Sequence, residues 1–294
     1  MKEINFRKTF QADKKFSIKK AFTKYPNDID KNTGLELLQL EKNKLKELQE
    51  KLYADGSQSL LIILQAMDAA GKDSLIEHVF GGVNPQGCEV TSFKTPNSKE
   101  YQYDFLYRHI VALPEKGKIG IFNRSHYESV LVCKVHPEYN LNEKVWKDVN
   151  VIDHQFWKKR YKSINNFEKH LANNGTKIVK IFLNVSQEEQ RNRFLDRINE
   201  QEKNWKFSSS DIKERALWKD YMKAYEDTIN ATNKKYAPWY VIPADQKWFA
   251  RLAALQIIID SLEEMDLKYP ILSEKEASQL IDAKKNLENE KLGK

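Results

Sequence analysis

SLLIILQAMDAAGKDS, residues 59–74, joins an apolar run rich in Leu and Ile to a cluster of small residues, then Gly71 and Lys72, then a helical pattern from Leu75. A run of this kind that ends in a tight turn reads as a buried strand entering a helix. Such a turn aims backbone N–H groups and the positive end of the helix dipole at one point, and Lys72 adds a full charge there. The place suits an anion, above all a phosphate, with Ala69, Ala70, Gly71, Lys72 and Asp73 as its cradle. The phosphate-loop pattern G-x-x-x-x-G-K-[ST] is met with two departures, Ala66 at the first glycine and Asp73 at the Mg²⁺-binding hydroxyl. With that hydroxyl missing, Asp68 is the candidate metal carboxylate and therefore catalytic, because Mg²⁺ prefers hard oxygen ligands.

Beyond the loop, residues 72–80 continue as a short helix closed by Gly81 and Gly82, and residues 89–93 read as a second strand followed by Lys94. In an open parallel sheet, ligands gather beyond the carboxyl ends of the strands, which aims Lys94 at the same crevice as Lys72. Residues 98–112 have helical periodicity. A third strand over 118–122 leads into Asn123-Arg124-Ser125-His126-Tyr127-Glu128. Phosphate-loop enzymes commonly end this strand in an acid that holds the Mg²⁺ shell; Asn123 offers a carbonyl oxygen instead. Arg124 has the planar fork that binds phosphate oxygens and counters charge as a phosphoryl group moves, which makes it a catalytic candidate beside Asp68 and Lys72. Ser125 and Glu128 have capping-box spacing, so Glu128 either starts the next helix or restores the carboxylate missing at Asn123. His126 and Tyr127 read as packing or positioning residues. Asn123, Tyr127 and Glu128 form the candidate acceptor side, and Asn123, with Glu128 as an option, joins Asp68 at the metal.

Helical periodicity then runs over 143–173, with Lys158, Lys159 and Arg160 as a solvated basic face, and residues 177–184 form a fourth strand. Ser186 with Glu189 opens a helix bearing Arg191, Arg193 and Arg197, and a polar segment with Lys203 and Lys206 follows. Helix, basic loop and helix over about 190–218 have the form of a lid that closes on phosphates, supplies cations and shuts out water; a surface hairpin is the alternative. Asp211 with Glu214 is expected to cap the next helix. A fifth strand spans 239–242, and a last long helix spans 246–266. Near the start, Leu38, Leu45, Leu48 and Leu52 stripe a helix over 34–53 that packs into the core or seals a subunit interface. The organisation is an extension and helix over 1–57, a main domain over 58–270 and a charged tail over 271–294 that is marginally helical or disordered. Strands alternating with helices predict a three-layer α/β fold on a parallel five-stranded sheet.

The 294 residues carry 49 Lys and Arg against 42 Asp and Glu, a formal net charge of +7. The excess favours an acidic partner, whether nucleic acid, nucleotide or inorganic polyanion. No nucleic-acid motif occurs, and the aromatic residues fall at core-like spacings, which ranks a nucleic-acid binder last. No apolar run nears the ~20 residues of a membrane span, and MKEINFRKTF lacks the apolar core of a secretory signal, so the cytoplasm is the expected location. Cys88 and Cys133 have no metal-site spacing and are expected to be reduced and structural.

AMDAAGKD, FGGVNPQGCEVTSFKTP, IGIFNRSHYESVLV, RNRFLDRINEQEKNWKFSSSDIKERALW and APWYVIPADQKWFARL occur in that order, and over about residues 35–270 the chain resembles the polyphosphate kinase 2 family. The NRSHYE block looks most like the branch called class III, polyphosphate:AMP phosphotransferases that also accept ADP. The resemblance implies a phosphate-loop kinase fold with a helical lid, inorganic polyphosphate as donor, and AMP and ADP as acceptors. It further implies Mg²⁺ with Mn²⁺ as a substitute, direct in-line transfer, and a homo-oligomer, dimer or tetramer. Asp68 resembles the family's metal-linked loop aspartate and Lys72 its loop lysine. Asn123 and Arg124 sit at its second-strand site, and Arg191, Arg193 and Arg197 at its lid. Ser129 stands where class III sequences often have a second acid. A conventional ATP-dependent phosphate-loop kinase is the alternative; the missing glycine and Ser/Thr count against it.

Overall fold

The computed structural model describes residues 4–26 and 29–290. Its strands are β1 (Ser59–Ala66), β2 (Cys88–Ser92), β3 (Ile119–Asn123), β4 (Thr176–Asn184) and β5 (Trp239–Pro243), in the sheet order β2-β3-β1-β4-β5. Every pairing is parallel. β1 lies at the centre and is buried along its whole length, which is why it reads as a continuous apolar run rather than an alternation. Asn123, the last residue of β3, faces Leu64, two residues before β1 ends at Ala66, and Ala66 faces Leu183 next to the end of β4.

The principal helices are α1 (Lys31–Asp55), α2 (Lys72–Phe80), α3 (His154–Asn173), α4 (Gln187–Asn199), α5 (Ser209–Ala216), α6 (Trp218–Thr232), α7 (Lys247–Glu263) and α8 (Glu274–Asn289). α7, buried along most of its length, packs against α1, α2, β4 and β5, while α3 packs on β4 and against α6. The leucine stripe of α1 is core: Leu38, Leu45 and Leu52 are buried. α1 approaches α7 so closely at Gly34 that a Cβ would lie 2.2 Å from the Trp248 ring. The N-terminal segment covers the β5 edge, where Gln11 bridges antiparallel to Tyr240 and Phe10 packs edge-on to Phe249.

Several helix expectations are corrected. α1 begins at Lys31 because the Asp30 carboxylate accepts the Asn32 and Thr33 N–H groups. Residues 98–112 hold only a 3₁₀ turn, Glu100–Gln102, and a short helix, Tyr107–Val111. The side chains of Asn97 and Asp104 accept backbone N–H bonds two and three residues ahead and offer that chain an alternative to a helical ladder. The expected helix over 143–173 starts only at His154, capped by Asp153. Arg160 is not on a solvated face: it is buried, paired through both Nη atoms to Glu143, and lies over the rings of Phe105 and Phe156. The tail is helical over α8, started by a capping box of Ser273 and Glu276, with no buried residue. Residues 291–294 of the tail and residues 1–3, Asn27 and Asp28 of the extension lie outside the described residues. Among the described residues no helix is long and apolar enough to cross a membrane.

Candidate active site

The loop after β1 turns at Ala69 and Gly71, with φ of 60° and 109° respectively, and delivers Lys72 into the first turn of α2. The positive φ at Gly71 is one that residues with a Cβ rarely adopt. Lys72 is buried, and its Nζ donates to the carbonyl of Ala66 at 2.9 Å, folding the ammonium over the loop. Burial, with the positive charge of Arg124 adding to it, pulls the Lys72 pKa down to about 8.

Asp73, a departure from the phosphate-loop pattern, and Asn123, which stands where an acid commonly ends the strand, meet in space. Asn123, at the end of β3, donates its side-chain N–H to the Asp73 carboxylate at 2.6 Å. Relative to the usual pattern, the carboxylate and its neutral partner have exchanged places between the loop and the end of β3. Arg124 follows at φ 64°, and its guanidinium lies between two carboxylates: Nη2 donates to Asp68 at 2.6 Å and Nη1 to Glu128 at 3.2 Å. Those two carboxylates hold Arg124 firmly charged. Glu128 is therefore not a helix cap; Ser125 accepts instead from the Tyr127 N–H and from Gln65. Among the described residues no three His, Cys, Asp or Glu side chains gather as a closed metal site. The oxygens of Asp68, Asp73, Asn123 and Glu128 beside an anion cradle suit instead a hard cation that shares its shell with water and phosphate.

His126 and Tyr127 point away from this cluster into the core, and both are fully buried. Tyr127 donates to Glu168 at 2.6 Å and accepts from Lys180 at 2.9 Å, while Lys180 also bonds Glu168 at 2.7 Å and the Thr232 carbonyl at 2.8 Å. The expectation that Tyr127 meets an acceptor is thus corrected: its hydroxyl is committed to a buried ion pair that anchors the turn between Arg124 and Glu128.

The arginines of the expected lid separate in their contacts. Arg193 is buried and does not face a phosphate. Its Nε donates to Glu189, Nη1 to the carbonyls of Ala69 and Ala70, and Nη2 to those of Ala244 and Asp245, which occupies every N–H the guanidinium has. It buttresses the phosphate loop from behind. Arg191 and Lys206 are exposed, and Arg197 turns toward the Lys206 carbonyl and Asp211. Asp211 and Glu214 form no capping box: Ser208 caps α5, and Glu214 accepts from Tyr221 and pairs with His136.

Beside Arg124 and Glu128 opens a cleft of about 170 Å³, partly open to solvent, bordered by Lys94, Tyr101, Tyr103 and Arg108. Ser129 lines the same cleft. Sequence reasoning missed Gln190, whose side chain donates to the Asp68 carbonyl at 2.9 Å, and Arg215, which holds Gln190 at 2.7 Å. The signal was available in the spacing, since 190, 193 and 194 share the buried face of α4.

Comparison with known proteins agrees with this architecture. The family model for polyphosphate kinase 2 matches residues 28–270. An ADP-polyphosphate phosphotransferase of Rhodopseudomonas palustris is 48% identical over 90% of this chain and 93% of its own length. An AMP/ADP-polyphosphate phosphotransferase of Meiothermus ruber is 42% identical over 88% of this chain and 93% of its own. A crystal structure of polyphosphate kinase 2 from Arthrobacter aurescens superposes with a TM-score of 0.85 at 37% identity, covering 95% of this chain and 97% of that one. Loop, swapped Asp–Asn pair, bridged carboxylates and these matches together place the chain in the polyphosphate kinase 2 family, whose members transfer phosphate from polyphosphate to nucleotides.

Proposed function

We propose that this protein moves the terminal phosphoryl group of inorganic polyphosphate to AMP and to ADP, by direct in-line transfer with Mg²⁺. The observation that carries the reading is the Arg124 guanidinium set between Asp68 of the phosphate loop and Glu128 on the rim of the cleft. Donor and acceptor phosphates would meet at that guanidinium.

The backbone N–H groups of the loop and the Lys72 ammonium hold the donor's terminal phosphate. Asp68 and the Asn123 carbonyl oxygen would hold Mg²⁺, which when bound supplies charge neutralisation across the phosphate oxygens. The acceptor lies in the cleft with its phosphate beside Glu128, and Glu128 keeps Arg124 aimed. An acceptor phosphate oxygen attacks the terminal phosphorus as the bridging P–O bond breaks, and the shortened chain leaves as an anion. Arg124 and Lys72 counter the charge that spreads over the moving group. Lys94, Arg191, Arg197 and Lys206 screen the remaining chain and the acceptor, while Arg193 keeps the loop in shape.

The acceptor range is tested by supplying Mg²⁺, polyphosphate and AMP without ATP and following nucleotides by chromatography, with Asp68→Asn as control. ADP followed by ATP, lost in the variant, is the expected result. ADP alone would confine the enzyme to monophosphates, and ATP from ADP with no product from AMP would confine it to diphosphates.

A pH dependence follows from Lys72. In the free enzyme its ammonium loses its proton as pH rises through about 8, and only the charged form attracts the donor. kcat/KM for polyphosphate is therefore expected to be full below that pH and to fall above it. Lys72→Arg, which stays charged, is expected to lose that alkaline limb in whatever activity it keeps.

A further inference from the structure

A cavity of about 200 Å³ lies where β4 and β5 begin, at the opposite edge of the sheet from the phosphate loop. Thr176, the first residue of β4, borders it, whereas Asn184 closes β4 on the loop side, so roughly 26 Å of strand separates the two places. Arg7, Gln58, Thr176, Lys177, Lys235 and Tyr240 are among its walls. Arg7 is carried there by the short N-terminal helix Phe6–Phe10, which packs on β5.

These walls are rich in donors and poor in acceptors. Arg7 Nε donates to the Tyr240 hydroxyl at 2.9 Å, which leaves the Tyr240 hydrogen free to donate. Thr176 Oγ1 accepts from Ser59 at 3.1 Å and keeps its own hydrogen in the same way. Arg7 Nη1 and the Lys177 ammonium share a single carboxylate, that of Glu264. Lys235 is exposed and makes no hydrogen bond or ion pair among the described residues. Asp260 faces Arg7 and also Lys44, and it bonds none of the three wall cations. Gln58 gives its side-chain N–H to the Met265 carbonyl at 2.8 Å and retains an oxygen to accept a proton.

Three cations and two hydroxyls therefore border one space with one bonded carboxylate among them. That set matches a compact oxyanion, whose oxygens accept from cations and hydroxyls alike, while an apolar guest would leave the donors unanswered. The space is several times the ~30 Å³ that one water takes in the liquid, enough for one phosphate.

We propose that this cavity binds a single hydrogen phosphate dianion, held by Arg7, Lys177 and Lys235 with its one proton toward Gln58, and that the bound anion ties the N-terminal segment to the β4–β5 edge. The site is separate from the transfer centre and does not rest on the transfer reading.

The test is isothermal titration of orthophosphate into the full-length Lys72→Ala protein, in which the phosphate loop competes least, and into the same protein carrying Lys235→Gln or Glu264→Gln. Both added changes are at exposed side chains. Lys235→Gln is expected to weaken binding about tenfold, and Glu264→Gln, which releases Arg7 and Lys177, to tighten it about tenfold. A protein that was only destabilised would bind less well in both, so the opposite signs identify the site. No phosphate binding to Lys72→Ala, an affinity that neither added change moves, or a loss in both would overturn the proposal.

Discussion

Lys72→Ala is expected to lower kcat/KM for polyphosphate by roughly 10²–10³-fold, the range found when one preorganised donor to developing charge is removed. The ammonium is buried, already pulled down by desolvation, and bonded chiefly to the Ala66 carbonyl. Folding alone gives little reason to keep a charge there, because burying it opposes stability unless a partner compensates. The variant is therefore expected to melt at the wild-type temperature or above while losing activity. Steady-state kinetics and a thermal melt check the two halves separately. A loss of less than about fivefold would move the donor phosphate away from this loop.

Glu168→Ala is expected to be the most damaging substitution for stability, by about 3–5 kcal/mol, because it strands a buried charge. Lys180 is fully buried, and among the described residues Glu168 is the only carboxylate it bonds; Tyr127 and the Thr232 carbonyl are neutral. Burial pulls the Lys180 pKa down and Glu168 pulls it back up, so removing the carboxylate leaves only the penalty. A Lys180→Met/Glu168→Leu double variant is expected to recover most of the loss, since replacing both members of a buried pair by apolar side chains is often close to neutral. Tyr127 hangs from this pair between Arg124 and Glu128, so the single variant should also loosen the turn that carries both. Denaturant unfolding of the three proteins measures the effect. A single variant within about 1 kcal/mol of wild type would show that the pair does not hold this turn.

The sheet and its loop are legible in the sequence because their signals are local. β1 is a continuous apolar run followed by small residues and Gly-Lys, and the parallel order follows from alternation with helices. Asp73 and Asn123 were each visible as a departure. That they answer each other across 50 residues became apparent only when β1 and β3 lay side by side. Arg160 reads as a solvated cation and Arg193 as a lid cation for phosphate because the sequence shows no partner for either, and their partners come from distant segments: Glu143 and two aromatic rings for one, four backbone carbonyls and Glu189 for the other. Lys180 carried a readable sign, a lysine inside the buried strand TKIVKIFLN, which implies a buried counter-charge without saying where it is. Tyr127 was misplaced because neighbouring residues in an irregular turn point in opposite directions, and no periodicity records which ones face the crevice.

The identity of the phosphoryl donor is the central claim, and the most direct measurement is ³¹P NMR of the purified protein with Mg²⁺, polyphosphate and AMP, compared with the same mixture holding ATP in place of polyphosphate. The account predicts that the β-phosphate of ADP appears in the first mixture as chain phosphate disappears in equal amount, with no ATP needed to start it. Transfer in the ATP mixture alone, with polyphosphate left intact in the first, would contradict it and make the protein a conventional nucleotide kinase.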